Sequence, residues 1–391
     1  MNNYIKVDEI KTKNNVLTIT FSYDGEISKF VEHGNDFVIE YDFNIEDIPK
    51  SILVIPFVNL WLPVASITNA NLIVDELDKD FYLKISKVYK SFNKMYKYSP
   101  KLFNKKAIVY NSLVKNIFEK SNYSMFFSGG VDSLNTLCQN IEKDPILIMI
   151  HGSDIWIDDI SGWKTAKENI VRISKKFHKK YTCLKSNFRR TINELELNKY
   201  YEEKLGDNWW HGVEHGLALL GHTAPIIYHF KIKTHFIPST LSPRDKNPKC
   251  GSYPTIDEKY SVGGSSTSHD GFRFSRLEKV RNIVTYCKSK SIIPTFRTCY
   301  IEREGKLNCN ECEKCYRTMM ELASLGEDPN KYGYVFNKET IKNIRKFIEA
   351  QDFEHDYLKR TYYEIISEFR KGNYFKKYDD FKWLLDINIK P

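Results

Sequence analysis

A six-residue segment, Ser-Gly-Gly-Val-Asp-Ser at positions 128–133, constrains the fold of this chain more than any other part of the sequence. It follows a short apolar run at 123–127 and precedes a helix-compatible stretch at 134–137. A strand that enters a glycine-containing turn and then a helix brings backbone N–H groups and the positive end of the helix dipole close to an anion. We therefore expect phosphate to bind to Ser128, Gly129, Gly130, Val131 and Ser133. An ordinary Gly-Gly turn before a helix is the alternative interpretation.

Asp132, within the same segment, indicates a metal ion. A carboxylate repels phosphate, so its presence here favours a Mg²⁺ ion that bridges Asp132 and the phosphates of ATP. The segment is not a Walker A loop, because no Gly-Lys-Ser/Thr sequence follows it.

Beyond residue 100 the sequence alternates between strand and helix patterns. We predict strands at 123–127, 145–150, 181–185 and 234–237, and helices at 105–120 and 166–176. This alternation favours an α/β fold with a doubly wound, mostly parallel sheet, in which ligands bind at the carboxyl ends of the strands. We assign it to one domain, residues 101–330.

The two ends of the chain have different patterns. Residues 16–21 and 37–43 alternate between apolar and polar side chains, which predicts a small β-rich N-terminal domain over residues 1–100. Its boundary is expected at Tyr98-Ser-Pro100. Residues 331–391, rich in Lys, Tyr, Phe and Glu, predict a C-terminal extension of amphipathic helices.

Composition limits the partners and the compartment. The chain has 391 residues and a net charge of +9, which fits an anionic substrate such as ATP. No block of Lys and Arg stands out, so nucleic acid is permitted as a partner but not favoured. The most apolar window, 51–67, contains two prolines and an asparagine, and we interpret it as buried segments and not as a membrane span. Without a signal-peptide pattern, we predict a cytoplasmic protein.

Four cysteines near the end of the α/β region predict a metal site. Cys299, Cys309, Cys312 and Cys315 supply four thiolates, with two residues between successive members of the last three. This pattern is typical of a closed tetrahedral Zn²⁺ site with a structural role. An iron–sulfur cluster uses the same ligands, and free buried thiols are a further alternative. The other cysteines are scattered, and we interpret them as inert.

Polar residues at the ends of two predicted strands are candidates for ATP binding. His151 and Asp154 follow the strand at 145–150, next to the phosphate-binding segment. Asp154 is suited to accept hydrogen bonds from ribose hydroxyls or to hold Mg²⁺, but it equally suits a helix cap. Arg189 follows the next strand and can bind a carboxylate or pyrophosphate with two hydrogen bonds. A surface ion pair is its alternative role.

Further candidates for the substrate pocket come later in the chain. They are Ser239, His269, Asp270, Arg276 and the aromatic segment Trp209, Trp210 and His211. A tryptophan there is suited to stack on a planar ring. His211 and His215 are four residues apart, but without a third ligand a metal site is the less favoured interpretation. Lys279 is the expected cation for the departing pyrophosphate, with an ordinary surface lysine as the alternative.

These motifs together resemble a known family. The Ser-Gly-Gly-Val-Asp-Ser segment resembles the PP-loop of the ATP pyrophosphatase superfamily. With Thr298-Cys299-Tyr300 and the following cysteines, the region from Ser121 to Thr318 resembles 7-cyano-7-deazaguanine synthase, a family in which the four cysteines bind zinc. The chain differs by its N- and C-terminal extensions and by Asn-Glu between the first two clustered cysteines, where the family usually has a glycine. It is most similar to the QueC-like branch found in bacterial antiphage defence operons.

The resemblance implies a reaction. A carboxylate, by resemblance that of 7-carboxy-7-deazaguanine, would attack ATP, release pyrophosphate and form an acyl-adenylate, from which ammonia or another amine displaces AMP. Residue 2 is Asn, so the chain lacks the N-terminal cysteine of a glutaminase, and the amine must come from outside. The defence branch suggests that the amine belongs to a partner protein. The alternatives are a PP-loop enzyme that thiolates tRNA and a non-catalytic subunit that senses ATP.

Overall fold

The computed structural model describes residues 2–32, 34–97, 103–245, 249–299, 305–351, 356–372 and 379–387. The strands of this part are β1 (Tyr4–Lys13), β2 (Val16–Asp24), β3 (Asp36–Tyr41), β4 (Asn71–Asp78), β5 (Ile108–Val114), β6 (Asn122–Phe126), β7 (Ile146–His151), β8 (Tyr181–Ser186), β9 (Ile232–Pro238) and β10 (Ser266–Asp270). The helices are α1 (Lys50–Leu53), α2 (Ile55–Ile67), α3 (Lys79–Tyr96), α4 (Val131–Gln139), α5 (Ile160–Phe177), α6 (Phe188–Thr191), α7 (Glu194–Leu205), α8 (His215–His222), α9 (Ala224–His229), α10 (Pro254–Asp257), α11 (Arg276–Lys290), α12 (Glu313–Ser324), α13 (Lys338–Glu349) and α14 (Asp356–Gly372).

One sheet runs through the described residues. Its ten strands lie in the order β10-β9-β6-β7-β8-β3-β2-β1-β4-β5. Strands β10, β9, β6, β7 and β8 are all parallel to their neighbours in this group. Every residue of β7 is buried, as expected for a central parallel strand whose two faces are both covered. The predicted mostly parallel α/β sheet is thus confirmed.

The N-terminal strands continue this same sheet. Strands β1, β2 and β3 pair antiparallel, and β4 lies parallel to β1 on the other side. The connection to the parallel group is the antiparallel pairing of β3 with β8, where Ile39 lies opposite Ser186 and Tyr41 opposite Leu184. The domain boundaries remain predictions, and the proposed boundary at Tyr98–Pro100 lies outside the described residues.

The prediction of a helix at 105–120 is wrong. Only Lys105–Ala107 form a helical turn, of the 3-10 type, and Ile108–Val114 form β5. Strand β5 pairs in parallel with β4, from Leu72 opposite Ile108 to Asp78 opposite Val114. Ile108, Val109 and Tyr110 are of residue types that favour strands, and the pairing with β4 supplies the backbone hydrogen bonds.

The apolar segment at 51–67 is buried, as predicted. It forms α1 and α2, and in α2 the rings of Phe57 and Trp61 pack against Phe21 of β2, with centroids 5.1 and 6.0 Å away. Both side chains are fully buried, and each contributes roughly 1.5–3 kcal/mol to folding. Within the described ranges, no helix combines the length and the apolar character needed to cross a membrane.

The described part of residues 331–391 contains the helices α13 and α14. In α13 the side chains of Ile341, Ile344 and Ile348 are buried at helical spacing. In α14, Tyr362 and Phe369 are buried in the core that also contains residues of α4 and α11. Helix α14 packs on α11, the helix that carries Lys279, and Arg281 of α11 pairs with Glu368 of α14.

Candidate functional site

The segment at 128–133 forms a tight loop between β6 and α4. Gly129 has a φ of +80°, and a Cβ at this position would lie 2.7 Å from the Asn169 amide nitrogen. Only glycine meets both requirements without strain. Gly130 is the N-cap of α4, and the Arg297 N–H donates to the Gly129 carbonyl oxygen over 2.8 Å. The first N–H groups of α4 have no acceptor within the helix, so they are available to an anion.

The two serines of the loop organise its backbone. The Gly130 N–H donates to Ser128 Oγ over 3.3 Å, and the Gly129 N–H donates to Ser133 Oγ over 3.1 Å. Ser133 Oγ itself donates to the Gly130 carbonyl oxygen. The hydroxyls thus fix the turn from inside, and Ser128, Gly130, Val131 and Ser133 line the adjoining pocket.

Asp132 is held by a buried lysine. Lys279 Nζ lies 2.9 Å from Asp132 Oδ1, and its side chain is only 1% exposed. Thr240 Oγ1 donates to Asp132 Oδ2 over 3.3 Å. Burial alone would raise the pKa of Asp132, but the positive charges of Lys279 and Arg276 outweigh it and lower the pKa below its usual value. Asp132 lines the pocket, and Lys279 lies behind it.

A pocket of about 250 Å³ opens from this loop. Its walls come from the ends of β6, β7 and β9, from α8, and from the segments around Cys299 and Lys314. The polar and thiol groups of the lining are Ser128, Asp132, Ser133, Ser153, Asp154, His215, Thr240, Ser252, Arg276, Arg297, Thr298, Cys299 and Lys314. The loop at 128–133, carboxylates and cations therefore face one cavity at the carboxyl ends of parallel strands, the position that this architecture predicts for a ligand.

Three cationic residues, Arg276, Arg297 and Lys314, line the pocket. Burial opposes the charge of Arg276, but Glu321, whose Oε1 is 3.2 Å from Arg276 Nε, raises the pKa of the guanidinium overall. Burial, helped by the charges of Arg276 and Arg317, lowers the pKa of Lys314 to about 8. Like charges close together in a pocket favour an anionic ligand. Arg297 and Lys314 were not among the residues predicted from the sequence, although both lie next to the cysteine motif.

The four predicted cysteines come together. The sulfur atoms of Cys299, Cys309, Cys312 and Cys315 all lie within 4.8 Å of one another, so they can hold a metal ion. Cys299 Sγ is 3.8 Å from Cys312 Sγ, and Cys309 Sγ is 3.9 Å from Cys315 Sγ. Cys299 also lines the pocket, whereas Tyr300 lies outside the described residues. The cluster and the pocket therefore share a wall.

Of the three predicted ATP-binding residues near the ends of β7 and β8, one lines the pocket and two do not. Asp154 lines the pocket. His151 instead stacks on Trp163 at 4.6 Å, and burial lowers its pKa. Arg189 forms an ion pair with Glu194, with Nε 2.5 Å from Oε1, and its guanidinium lies between two tryptophan rings. Neither His151 nor Arg189 lines the pocket, although Arg189 donates to the carbonyl oxygen of the lining residue Ser153 over 3.1 Å.

The aromatic segment lies mostly away from the pocket. Trp209 is fully buried against Tyr201, and Trp210 packs against the Arg189 guanidinium with a centroid distance of 4.0 Å. His211 Nδ1 lies 2.5 Å from Asp207 Oδ2. Trp210–Glu214 form one π-helical turn, which leads into α8, where His215 lines the pocket.

Ser239, His269 and Asp270 lie beneath the pocket floor. Ser239 is 1% exposed, between the lining residues Pro238 and Thr240. His269 is buried and bonded to Ser239, and Asp270 Oδ2 accepts a hydrogen bond from Asn140 Nδ2 over 3.1 Å. Of the predicted substrate residues, Arg276 is the one that lines the pocket.

Comparisons with known proteins add little to this geometry. No family model matches the sequence, and no curated protein matches it. Among solved structures, the chain shows similarity to the U34-tRNA thiolase NcsA from Methanococcus maripaludis with its [4Fe-4S] cluster, at 11% identity over 70% of this chain and 82% of that chain. The TM-score is 0.29, which assigns neither a family nor a function to this chain.

Proposed function

We propose that the chain activates a substrate carboxylate with ATP, releasing pyrophosphate and forming an acyl-adenylate, from which ammonia or another amine displaces AMP to give an amide. With ammonia, a second ATP would activate the primary amide oxygen, and its departure as AMP would give a nitrile. The observation that carries this proposal is the shared cavity: the loop at 128–133 and the cations Arg276, Arg297 and Lys314 line the same pocket. A reaction between two anions, ATP and a carboxylate, needs such a concentration of positive charge and N–H donors.

The loop is the proposed phosphate end of the site. Backbone N–H groups at the start of α4 bind the phosphates, and Ser128 and Ser133 keep the turn in shape. Asp132 and Asp154 would hold Mg²⁺, which neutralises phosphate charge when bound. Both carboxylates line the pocket, and Asp132 keeps lone pairs beyond those used by Lys279 and Thr240. Lys279 acts through Asp132, because its ammonium is buried behind the carboxylate.

Lys314 and Arg297 form the proposed carboxylate end. Both line the pocket, and Lys314 lies between two of the clustered cysteines in the sequence. Arg276 lies close enough to Asp132 and Lys314 to affect the pKa of each. We assign Arg276 to the departing pyrophosphate, which carries negative charge away from the α-phosphorus.

We propose that the four thiols hold one structural Zn²⁺. Four sulfurs at about 2.3 Å from a tetrahedral ion are about 3.8 Å apart. The Cys299–Cys312 and Cys309–Cys315 distances of 3.8 and 3.9 Å fit that value. In a [4Fe-4S] cluster each thiolate binds a different iron, which separates the sulfurs further. The ion would fix the segments that carry Arg297, Thr298 and Lys314 into the pocket wall.

The proposed substrate is 7-carboxy-7-deazaguanine, as the family resemblance implies. The apolar part of the pocket, including Phe126, Phe127 and Met149, is suited to a flat ring. The acceptor would be ammonia or an amine, and in an antiphage defence setting in the cytoplasm it would be an amine of a partner protein, to which the deazapurine becomes joined.

Pyrophosphate release tests this function. With ATP and Mg²⁺, 7-carboxy-7-deazaguanine should support release at least about a hundredfold faster than aspartate, because a site built on specific hydrogen bonds rejects ligands that leave them unmade. Asp132→Asn is the inactive control. Equal rates with unrelated carboxylates would leave the reaction class but contradict the substrate, whereas ATP binding without any release would favour an ATP-sensing subunit.

A second candidate function is tRNA thiolation. It is favoured by one observation, namely that Cys299 lines the pocket beside the phosphate-binding loop. In that case a tRNA base would be adenylated, and AMP would then be displaced by sulfur that a separate persulfide donor loads onto a clustered cysteine as the carrier. AMP release that depends on tRNA and not on a deazaguanine would support it. A Cys299→Ser variant that keeps its metal but loses sulfur transfer would distinguish it further.

A further inference from the structure

A buried hydrogen-bonded network lies beneath the pocket floor. His269 Nδ1 is 2.7 Å from Asp257 Oδ2, and His269 Nε2 is 2.7 Å from Ser239 Oγ. Ser252 Oγ donates to the same Asp257 oxygen over 2.6 Å. The order Ser239–His269–Asp257 is that of the catalytic triad in serine hydrolases. The side chains of His269 and Asp257 are only 3% and 0% exposed.

Ser239 is not placed to act as a nucleophile. It is 1% exposed, and its hydroxyl donates to the Leu241 carbonyl oxygen over 2.8 Å. His269 Nε2 must therefore carry the proton in its bond to Ser239. Asp257 accepts from Ser252 and pairs with His269 Nδ1. The result is a buried, hydrogen-bonded histidine–carboxylate pair that holds Ser239 in place, not a base that activates it.

The backbone of Ser239 connects this network to the phosphate-binding loop. The Ser239 carbonyl oxygen accepts a hydrogen bond from Lys279 Nζ, the ammonium that pairs with Asp132. The Ser239 N–H donates to the Asp270 carbonyl oxygen over 2.8 Å, which ties the ends of β9 and β10 together. The next residue, Thr240, donates its hydroxyl to Asp132 Oδ2. Both oxygens of Asp132 are thus held by groups whose positions depend on residues 239 and 240.

We propose that the Asp257–His269 pair is a positioning element for the Mg²⁺-binding carboxylate of Asp132. It fixes Ser239 and Thr240, and through them Lys279 and Asp132. Mg²⁺ demands near-ideal octahedral geometry, so a small displacement of Asp132 weakens metal binding while leaving the pocket in place. This inference rests on the proposed function only in assuming that MgATP is the ligand.

The test compares two buried serine–histidine bonds in one sheet. Ser239→Ala removes the hydroxyl that is hydrogen-bonded to His269 but keeps the carbonyl oxygen that accepts from Lys279. Ser124→Ala is the matched control. Ser124 Oγ lies 2.9 Å from His235 Nδ1, and both residues are fully buried. Within the described residues, Nε2 of His235 is buried without a hydrogen-bond partner, so the Ser124–His235 bond does not extend into a longer network.

The measurements are the MgATP dissociation constant by calorimetry and the Mg²⁺ concentration at half-maximal pyrophosphate release. Ser239→Ala should raise both about tenfold, the effect typical of losing a residue that orients a metal ligand. Saturating Mg²⁺ should restore much of the rate. Ser124→Ala should change neither by more than about twofold, although the melting temperature of both variants should fall to a similar extent.

Equal effects of the two variants on Mg²⁺ dependence would overturn the proposal, because a purely structural role predicts equality. His269→Gln provides a second variant. The double variant His269→Gln/Ser239→Ala should bind MgATP no more weakly than the more impaired of the two single variants, because both substitutions remove the same His269–Ser239 hydrogen bond. Additive losses would also overturn it. A wild-type protein that binds MgATP without releasing pyrophosphate would contradict the proposed function, and the calorimetry would still decide the positioning role.

Discussion

The ion pair between Lys279 and Asp132 allows stability and activity to be separated. Asp132→Ala leaves the Lys279 ammonium, 1% exposed, without its anionic partner. Removing one partner of a buried ion pair costs roughly 3–5 kcal/mol. Here we expect about 2–4 kcal/mol, because the Asp132 side chain is 22% exposed and the carbonyl oxygens of Ser239 and Thr240 still accept from Lys279. The free energy of unfolding should fall by that amount, and pyrophosphate release should stop.

The double variant Asp132→Ala/Lys279→Met removes both charges. It should recover most of the lost stability, because an apolar side chain now fills the buried space, but it should remain inactive. Glu349→Ala is the control for an exposed pair. Glu349 pairs with Arg345 on α13, both side chains are about half exposed, and its loss should cost less than about 1 kcal/mol.

Urea unfolding and a pyrophosphate-release assay measure the two effects. The pH dependence gives a further check, because the pKa of Asp132 is lowered in the folded protein. The contribution of the Asp132 carboxylate to the free energy of unfolding is complete above the pKa of Asp in the unfolded chain, about 4. It is lost as the pH falls below that pKa. The stability difference between wild type and Asp132→Ala should therefore be constant from pH 5 to 8 and shrink below about pH 4. An Asp132→Ala variant as stable as Glu349→Ala, or an active double variant, would refute the reasoning.

Three further predictions concern the metal, the substrate and pH. Metal analysis should find about one Zn²⁺ per chain, and Cys312→Ser should lose the ion and lower the stability before the chemistry is affected; a stable metal-free variant with a sulfur-transfer defect would favour thiolation. Lys314→Met should raise the KM for the carboxylate substrate by about tenfold or more, with a smaller change for ATP, and equal changes in both would argue against a carboxylate role. Burial lowers the pKa of His235 to about 3 and that of His222 to about 4. Because the folded protein favours the neutral rings, their contribution to stability is complete above the pKa of His in the unfolded chain, near 6.5. The free energy of unfolding should therefore fall as the pH drops from 6.5 towards 4. Urea titrations at several pH values should show a smaller fall for His235→Gln.

The parts of the site that the sequence predicted are those defined by consecutive residues. Gly129 has the positive φ and Gly130 the N-cap position that a strand–turn–helix segment requires, so six neighbouring residues were enough to predict the loop. The cysteines were predictable for the same reason, because metal ligands at short spacing belong to one local structure. The mostly parallel sheet followed from strand and helix periods.

The features of the site and the fold that the sequence did not predict depend on contacts between residues far apart in the chain. Lys279 and Asp132 are 147 residues apart in the sequence, and nothing local distinguishes a lysine buried against a carboxylate from one that faces a ligand. Trp209 and Trp210 formed a conspicuous aromatic motif, but the first is fully buried and the second is covered by Arg189. Strand β5 takes its backbone hydrogen bonds from β4, a partner that the pattern of residues 105–120 does not reveal.

The antiparallel seam between β3 and β8 protects a backbone edge. Without β3, the parallel group would end at β8, and the N–H and C=O groups now paired with Ile39–Tyr41 would face solvent. Such an open edge is a template for pairing with another chain. Shortening the protein to its α/β region by removing residues 1–100 would therefore create a self-associating surface at β8, and it would also take away β4, the partner of β5. The N-terminal strands thus cover the β8 edge, at the side where the parallel half of the sheet would otherwise end.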